Sequence, residues 1–149
     1  MFNKETMKAT GQVNVVVRDE KGNVKEDFTV PNLVVDTGLD YIASRMKDAT
    51  ATAMSHMEVG TDNTAAAAGD TTLGAAVSGA RVTLDSTTVT DNAVAYVATF
   101  PAGTGTDALT EAGIFNASSA GTMLCRTVFS VINKGASDSM TITWTITIS

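Results

Sequence analysis

The chain has 149 residues, of which 44% are hydrophobic and only 17% are charged. Because an average soluble domain carries about 25% charged residues, part of the surface is expected to be polar without charge or covered in an assembly. The net charge of −6 argues against nucleic-acid binding by counterion release. No apolar run approaches the roughly 20 residues of a membrane span, and the opening residues lack the apolar core of a secretory signal. Neither nucleic acid nor membrane is an expected partner, and synthesis in a cytoplasm is expected.

The first predicted elements form a hairpin. Residues 13–17 and 24–30 are rich in valine, and the turn-forming segment 21–23 lies between them. This pattern is typical of two antiparallel strands joined by a tight turn. Pro31 cannot donate a backbone hydrogen bond, so we expect it at a strand end or on an edge strand.

A helix is predicted next, in the segment DTGLDYIASRMKD. Asp36 or Thr37 can cap its start. Four apolar residues recur at helical spacing and are expected to lie against a sheet: Leu39, Ile42, Ala43 and Met46.

The second half of the chain is β-rich. Residues 54–59 alternate as a short strand, and 60–74 form a loop of small residues whose length is uncommon within a compact domain and often functional or interfacial. Residues 80–100 predict two strands turning at 91–92, the first marked by Val82, Leu84 and Val89, and residues 108–132 predict another pair turning at 116–121. The predicted fold is therefore mainly β, an antiparallel β-sandwich with one short helix packed on it.

The last predicted strand, SMTITWTITIS, has two unlike faces. Its apolar residues, Met140, Ile142, Trp144, Ile146 and Ile148, alternate with Thr141, Thr143, Thr145, Thr147 and Ser149. The apolar face is expected to line the core, where the indole N–H of Trp144 needs a partner. The threonines reflect either β-propensity alone or a face or edge shared with a neighbouring subunit. The absence of lysine and arginine between Arg81 and Arg126 favours the shared surface, because lysine commonly protects exposed strands from association.

Candidate chemical groups are few. His56 is the only histidine and no neighbouring motif supplies a nucleophile, so a structural or surface role is expected. Cys125 lies between apolar neighbours and is expected to be buried and inert. Glu111 has two interpretations. It is either a catalytic carboxylate, which would require a partner acid, or, as we expect, an ion-pair partner of Arg126 across a hairpin.

Metal and cofactor motifs are equally sparse. Asp62, Asn63 and Asp70 offer oxygen ligands for calcium, but without the spacing of a calcium-binding loop. The sequence contains no phosphate-binding or dinucleotide motif and no Cys/His metal spacing. No cofactor, metal or catalytic residue is therefore expected.

Two long segments resemble phage virion proteins of the tail-collar fibre and decoration kind. LTEAGIFNASSAGTMLCRTVFSVINKGASDSMTITWTITIS is similar to their closing β-region, in which a "TE-G-F" strand, an "L-R-F" strand, "I-K" and a "TITW-I" terminal strand follow one another. NLVVDTGLDYIASRM followed by MEVGTDNTAAAAGDTTLGAAV is similar to their upstream strand, helix and "-VGTG-T-A-A-DT-L" loop. The resemblance covers roughly residues 11–149 and implies a non-enzymatic β-rich subunit that works in multiple copies.

A position on the head of the virion fits this resemblance best. A receptor-binding fibre would need a shaft of extended repeats or a coiled coil, and the sequence has neither. We therefore expect a capsid decoration (cement) protein on the virion surface, a trimer or other homo-oligomer that binds and stabilises the lattice of the major capsid protein. The alternative is a tail, collar or baseplate component that anchors a fibre. A glycan hydrolase would require paired carboxylates, which no motif indicates.

Three regions are predicted to make the interfaces. They are an N-terminal arm of residues 1–10, the loop 60–74 and the hydroxyl face of the terminal strand, all within or preceding a single domain of residues 11–149. The predicted interface residues are Phe2, Lys4, Lys8, Thr61, Asp62, Asn63, Thr141, Thr143, Thr145 and Thr147.

Overall fold

A computed structural model describes residues 5–47 and 51–149. Within these residues the chain forms ten strands and one helix. The strands make two five-stranded antiparallel sheets that pack face to face, so the predicted β-sandwich with one short helix is confirmed. The elements are β1 (Ala9–Arg18), β2 (Val24–Pro31), β3 (Leu33–Val34), α1 (Asp36–Ser44), β4 (His56–Gly60), β5 (Ala76–Thr83), β6 (Ser86–Thr90), β7 (Ala93–Phe100), β8 (Asp107–Phe115), β9 (Met123–Lys134) and β10 (Ser139–Ile148).

The first sheet has the strand order β2-β1-β10-β7-β6. The predicted hairpin is confirmed as β1 and β2, which turn where the Asp19 carboxylate accepts the backbone N–H groups of Lys21 and Asn23. The N–H of Asn23 is the main reason that the pKa of Asp19 is lowered. Pro31 is the last residue of β2, an edge strand, as predicted.

The second sheet has the order β3-β9-β8-β4-β5. The predicted hairpin of β8 and β9 is confirmed, but the single strand predicted over residues 82–89 is wrong. The chain leaves β5 in the second sheet and enters β6 in the first. The backbone N–H of Leu84 binds Ser55 in one sheet, whereas that of Asp85 binds Val97 in the other. No glycine or proline marks this crossing, so the sequence gives no turn signal for it.

The core fills the space between the two sheets. Met140, Ile142, Trp144 and Ile146 of β10 are buried, which confirms the predicted apolar face. The Trp144 indole N–H, however, has no hydrogen-bond partner among the described residues. An unpaired buried donor of this kind costs about 1–3 kcal/mol, which the packing of the largest buried side chain must offset.

Helix α1 lies against β9, and its predicted apolar stripe is buried only in part. Gly38 is its buried residue, and a Cβ there would overlap the Leu124 carbonyl oxygen. Of the stripe, Ile42 packs on the core as predicted, whereas Leu39 is 45% exposed and Met46, beyond the end of the helix, is 81% exposed. The predicted side-chain cap is also absent, because Val35 is the N-cap residue and the Thr37 hydroxyl donates to the Met123 carbonyl instead.

Candidate functional site

The outer face of the first sheet is a broad surface whose interior carries no charged side chain across four strands. The ladders of β10 with β1 and β7, and of β7 with β6, place alternate residues of each strand on this face. We call it the threonine face. It consists of Thr10, Gln12, Asn14 and Val16 of β1, Thr141, Thr143, Thr145 and Thr147 of β10, Ala93, Ala95, Val97 and Thr99 of β7, and Ser86, Thr88 and Thr90 of β6.

The four predicted threonines form the central row of the threonine face. Each is half-buried, because strands on both sides place side chains next to it. Thr143, for example, lies directly between Asn14 and Val97. The prediction left open whether this row belonged to a face or to an edge. An edge is excluded, since β10 is the central strand and its backbone pairs with β1 and β7 along its length.

Charge reaches the threonine face only at its margins, and the exposed Arg18 lies there at the end of β1, opposite Ser139. On one side the Thr99 hydroxyl donates to the Asp85 carboxylate at 2.7 Å. On the other side the Asn14 amide donates to Asp27 of β2 at 3.2 Å. The interior of the face is thus composed of hydroxyl, amide and small apolar groups, and it shares with interface centres their depletion of acidic and lysine side chains.

The predicted N-terminal arm is described only in part. Phe2 and Lys4 lie outside the described residues. Lys8 has an exposed side chain, and its backbone exchanges two hydrogen bonds with Ser149, of 2.7 and 2.8 Å, that extend the β1–β10 ladder. Because β1 begins at Ala9, the last two residues of the predicted arm belong to the first sheet.

The predicted loop is present as residues 61–75 and folds back over the second sheet. Leu73 is buried there with Val35, Phe115 and Met123 in a small apolar cluster of its own. The loop also reaches the start of α1, where the Ala68 carbonyl accepts the backbone N–H of Asp36 at 2.8 Å. The loop is therefore packed on its own chain along much of its length.

Glu111 fixes this loop from below. Its carboxylate is fully buried and accepts backbone N–H groups from Ala75 at 2.8 Å, Gly74 at 3.0 Å and Asp62 at 3.3 Å. It also lies 2.9 Å from the Arg126 guanidinium, which confirms the predicted ion pair. That the same carboxylate binds the loop was not predicted, because nothing in the sequence connects positions 111 and 74.

Arg126 also contacts two carboxylates of the loop, those of Asp62 and Asp70. Its guanidinium binds Asp70 at 3.0 Å, and Asp62 approaches to 3.8 Å. The pKa of Asp62 is lowered chiefly by the backbone N–H of Thr64 and also by the Arg126 charge. Asp62 and Asp70, which were considered as calcium ligands, thus face the Arg126 guanidinium. The described residues contain no group of three or more His, Cys, Asp or Glu side chains arranged to hold a metal ion.

The predicted interface residues of the loop differ in exposure. Thr61 and Asn63 have exposed side chains, whereas Asp62 is half-buried beside Arg126. Only the first two are therefore available on the surface of this chain. They belong to the loop over the second sheet and do not share a face with the predicted threonines of the first sheet.

Neither His56 nor Cys125 has the surroundings of a catalytic group. The Ser55 hydroxyl lies 2.7 Å from Nδ1 of His56, a contact that the sequence did not indicate. No described carboxylate binds the other ring nitrogen, so the pair lacks the third group that orients a catalytic base. Cys125 is fully buried, as predicted, and burial raises the pKa of its thiol well above the usual value.

An apolar cleft that sequence reasoning missed lies beside α1. Its volume is about 350 Å³, and its walls include Tyr41 and Ile42 of the helix, Met54 before β4, and Val89 and Tyr96 of the first sheet. The clue in the sequence was the helical apolar stripe. We assigned that stripe to the core alone, whereas Ile42, one of its members, also lines the cleft.

Comparisons with family models, curated proteins and solved structures find no match to this chain. Helix α1, the one helix within the described residues, is not long and apolar enough to cross a membrane.

Proposed function

We propose that this chain is a structural subunit of a bacteriophage virion, a capsid decoration protein that binds the major capsid lattice as a homo-oligomer. The observation that carries the proposal is the threonine face, a broad sheet surface without a charged side chain inside its margins. The resemblance of residues 11–149 to virion subunits supplies the biological setting. In this role the protein acts by binding and has no catalytic site.

The threonine face suits repeated association better than open solvent. Specific interfaces exclude charge from their centres and bury about 800 Å² on each partner. Four adjacent strands spaced about 4.8 Å apart offer a platform roughly 14 Å wide between the outermost strand axes. Several such contacts per oligomer would add through avidity once the subunits are held on a lattice.

The second sheet supports the proposal because it packs against the inner side of the sheet that carries the threonine face. The loop 61–75 is held over that sheet by Glu111 and by the Leu73 cluster. The sandwich is therefore braced on the side opposite the threonine face. A preorganised surface loses less conformational entropy on binding, which benefits a subunit whose individual contacts are modest.

Locating the protein in virions tests the proposal. Particles produced with and without the gene for this chain are imaged by electron microscopy, and their difference density is calculated over the head and the tail. The proposal predicts density repeated over the head lattice. Density confined to the tail, collar or baseplate would overturn the decoration role in favour of the fibre-anchoring alternative, and identical particles would overturn both.

A further inference from the structure

The outermost strand of the first sheet has an unpaired side. Among the described residues β6 pairs with β7 alone, and all five of its residues are exposed. Alternate backbone N–H and C=O groups of β6 therefore point away from the sheet. Such a row of unpaired groups is a template for another strand.

This edge lacks the features by which soluble proteins prevent strand addition. Lysine, proline, a bulge or a covering element usually protects an edge. The sequence of β6 is Ser-Thr-Thr-Val-Thr, and its register with β7 is unbroken. At the opposite edge of the same sheet, β2 carries Lys25, Glu26 and Asp27 and ends on Pro31. This contrast between the two edges indicates that the β6 edge is available for pairing with another strand.

The apolar cleft continues from this edge into the sandwich. Thr87 and Val89 alternate with the outward side chains of β6 and form part of the cleft wall. Tyr41 and Met54 lie on the opposite side of the same cleft. A strand added beside β6 would direct every second side chain towards this apolar space, since side chains alternate between the two faces of a sheet.

We propose that the β6 edge and the adjoining cleft bind an extended peptide segment of a partner protein as a sixth strand of the first sheet. Backbone hydrogen bonds to β6 supply affinity, and apolar side chains at alternate positions enter the cleft and supply specificity. Both elements of this recognition mode, an exposed edge and a pocket for alternate side chains, are present at one place. The inference does not use the threonine face and is independent of the proposed function.

The charges beside β6 define the chemistry of that segment. Asp85 and Asp91 immediately flank the strand, and the basic residue in the cleft wall, Arg45, is engaged by the Tyr41 ring and the Ala51 carbonyl. A segment with basic residues at its two ends is complementary to this pattern. A second copy of β6, paired antiparallel about Thr88, would instead set Asp85 of one chain opposite Asp91 of the other, and like charges directly opposite are unfavourable.

The test uses a capped synthetic peptide, Lys-Thr-Val-Thr-Val-Thr-Lys, in which the lysines match the spacing of the two aspartates and the valines face the cleft. Binding to the full chain is followed by nuclear magnetic resonance and calorimetry at low salt. We expect the largest amide shifts at residues 86–90 and slower hydrogen exchange there. A peptide with glutamate in place of both lysines should bind at least about tenfold more weakly.

Two matched variants separate the edge site from general charge effects. Val89→Lys puts a charge at the cleft wall and should weaken peptide binding at least about tenfold, whereas Ser118→Lys puts the same charge in the turn between β8 and β9 and should change binding less than about threefold. Both positions are exposed, so unchanged thermal unfolding serves as the folding control.

Three results would overturn the inference. They are no binding of the lysine-ended peptide, equal binding by the Val89→Lys variant, and self-association of the wild-type chain that Val89→Lys abolishes. The last result would assign the edge to a second copy.

Discussion

The Glu111 carboxylate lies 2.9 Å from the Arg126 guanidinium in the wholly buried layer beneath the loop 61–75. The same carboxylate accepts three backbone N–H groups of that loop. One side chain thus joins β8, β9 and a long connection that has no regular secondary structure. A loop of mostly small residues thus obtains its fixed course from a buried carboxylate that lies outside it.

Replacement of Glu111 by alanine should lower the free energy of unfolding by about 3–5 kcal/mol, because it leaves the buried Arg126 charge with reduced compensation. Urea unfolding measures the change. Asp70→Asn is the comparison, since Asp70 is about a quarter exposed and Arg126 keeps its buried partner Glu111 in that variant, so it should cost clearly less than Glu111→Ala. A loss below 1 kcal/mol for the alanine variant would contradict the role assigned to Glu111.

Gly38→Ala should destabilise the protein by about 1–3 kcal/mol, although alanine favours helices elsewhere. The added Cβ would overlap the Leu124 carbonyl and force α1 away from β9. Gly69→Ala is the matched control, because open space surrounds that position and its backbone does not require glycine. Thermal unfolding compares the two. Equal melting temperatures would show that α1 does not depend on this close contact.

Asp138 should contribute to the pH dependence of stability. Hydrogen bonds from the Lys25 ammonium, at 2.6 Å, and from the backbone of Gly135 lower the pKa of its carboxyl group. Because the folded state binds the proton less readily than the unfolded state, this contribution is present above about pH 4 and is lost as the pH falls through the folded pKa.

Asp138→Asn tests this assignment in urea unfolding at several pH values. The wild type should be the more stable protein at pH 7, and the difference should shrink as the pH falls towards about 2. A difference that stays constant over this range would attribute the effect of the substitution to packing or to lost hydrogen bonds alone.

The sequence predicted those elements whose signals are local. The turn chemistry of residues 21–23 located the first hairpin, and the alternation of residues 140–148 identified both the buried face of β10 and its threonine row. The pairing of Glu111 with Arg126 was also predictable, because the two residues lie on strands joined by a short turn.

The errors have a common physical origin in contacts between distant parts of the chain. The orientation of α1 depends on the fit of Gly38 against Leu124, which helical periodicity does not encode. The crossing at residues 84–85 depends on which sheet each backbone N–H binds. The apolar cleft beside β6 follows from both, so it was not predictable from the sequence alone.

The most direct test of the threonine face is the binding of a charged variant to capsids. Wild-type chain and the Thr143→Lys/Thr145→Lys variant are each incubated with purified phage capsids assembled without this protein, and the bound fraction is measured by sedimentation. Ser118→Lys/Ser130→Lys is the control, because it adds the same charge at exposed positions outside the threonine face. We predict that the threonine-face variant folds normally but loses binding, while the control binds like the wild type. Unaltered binding of the folded threonine-face variant would contradict the assignment of this face as the assembly surface.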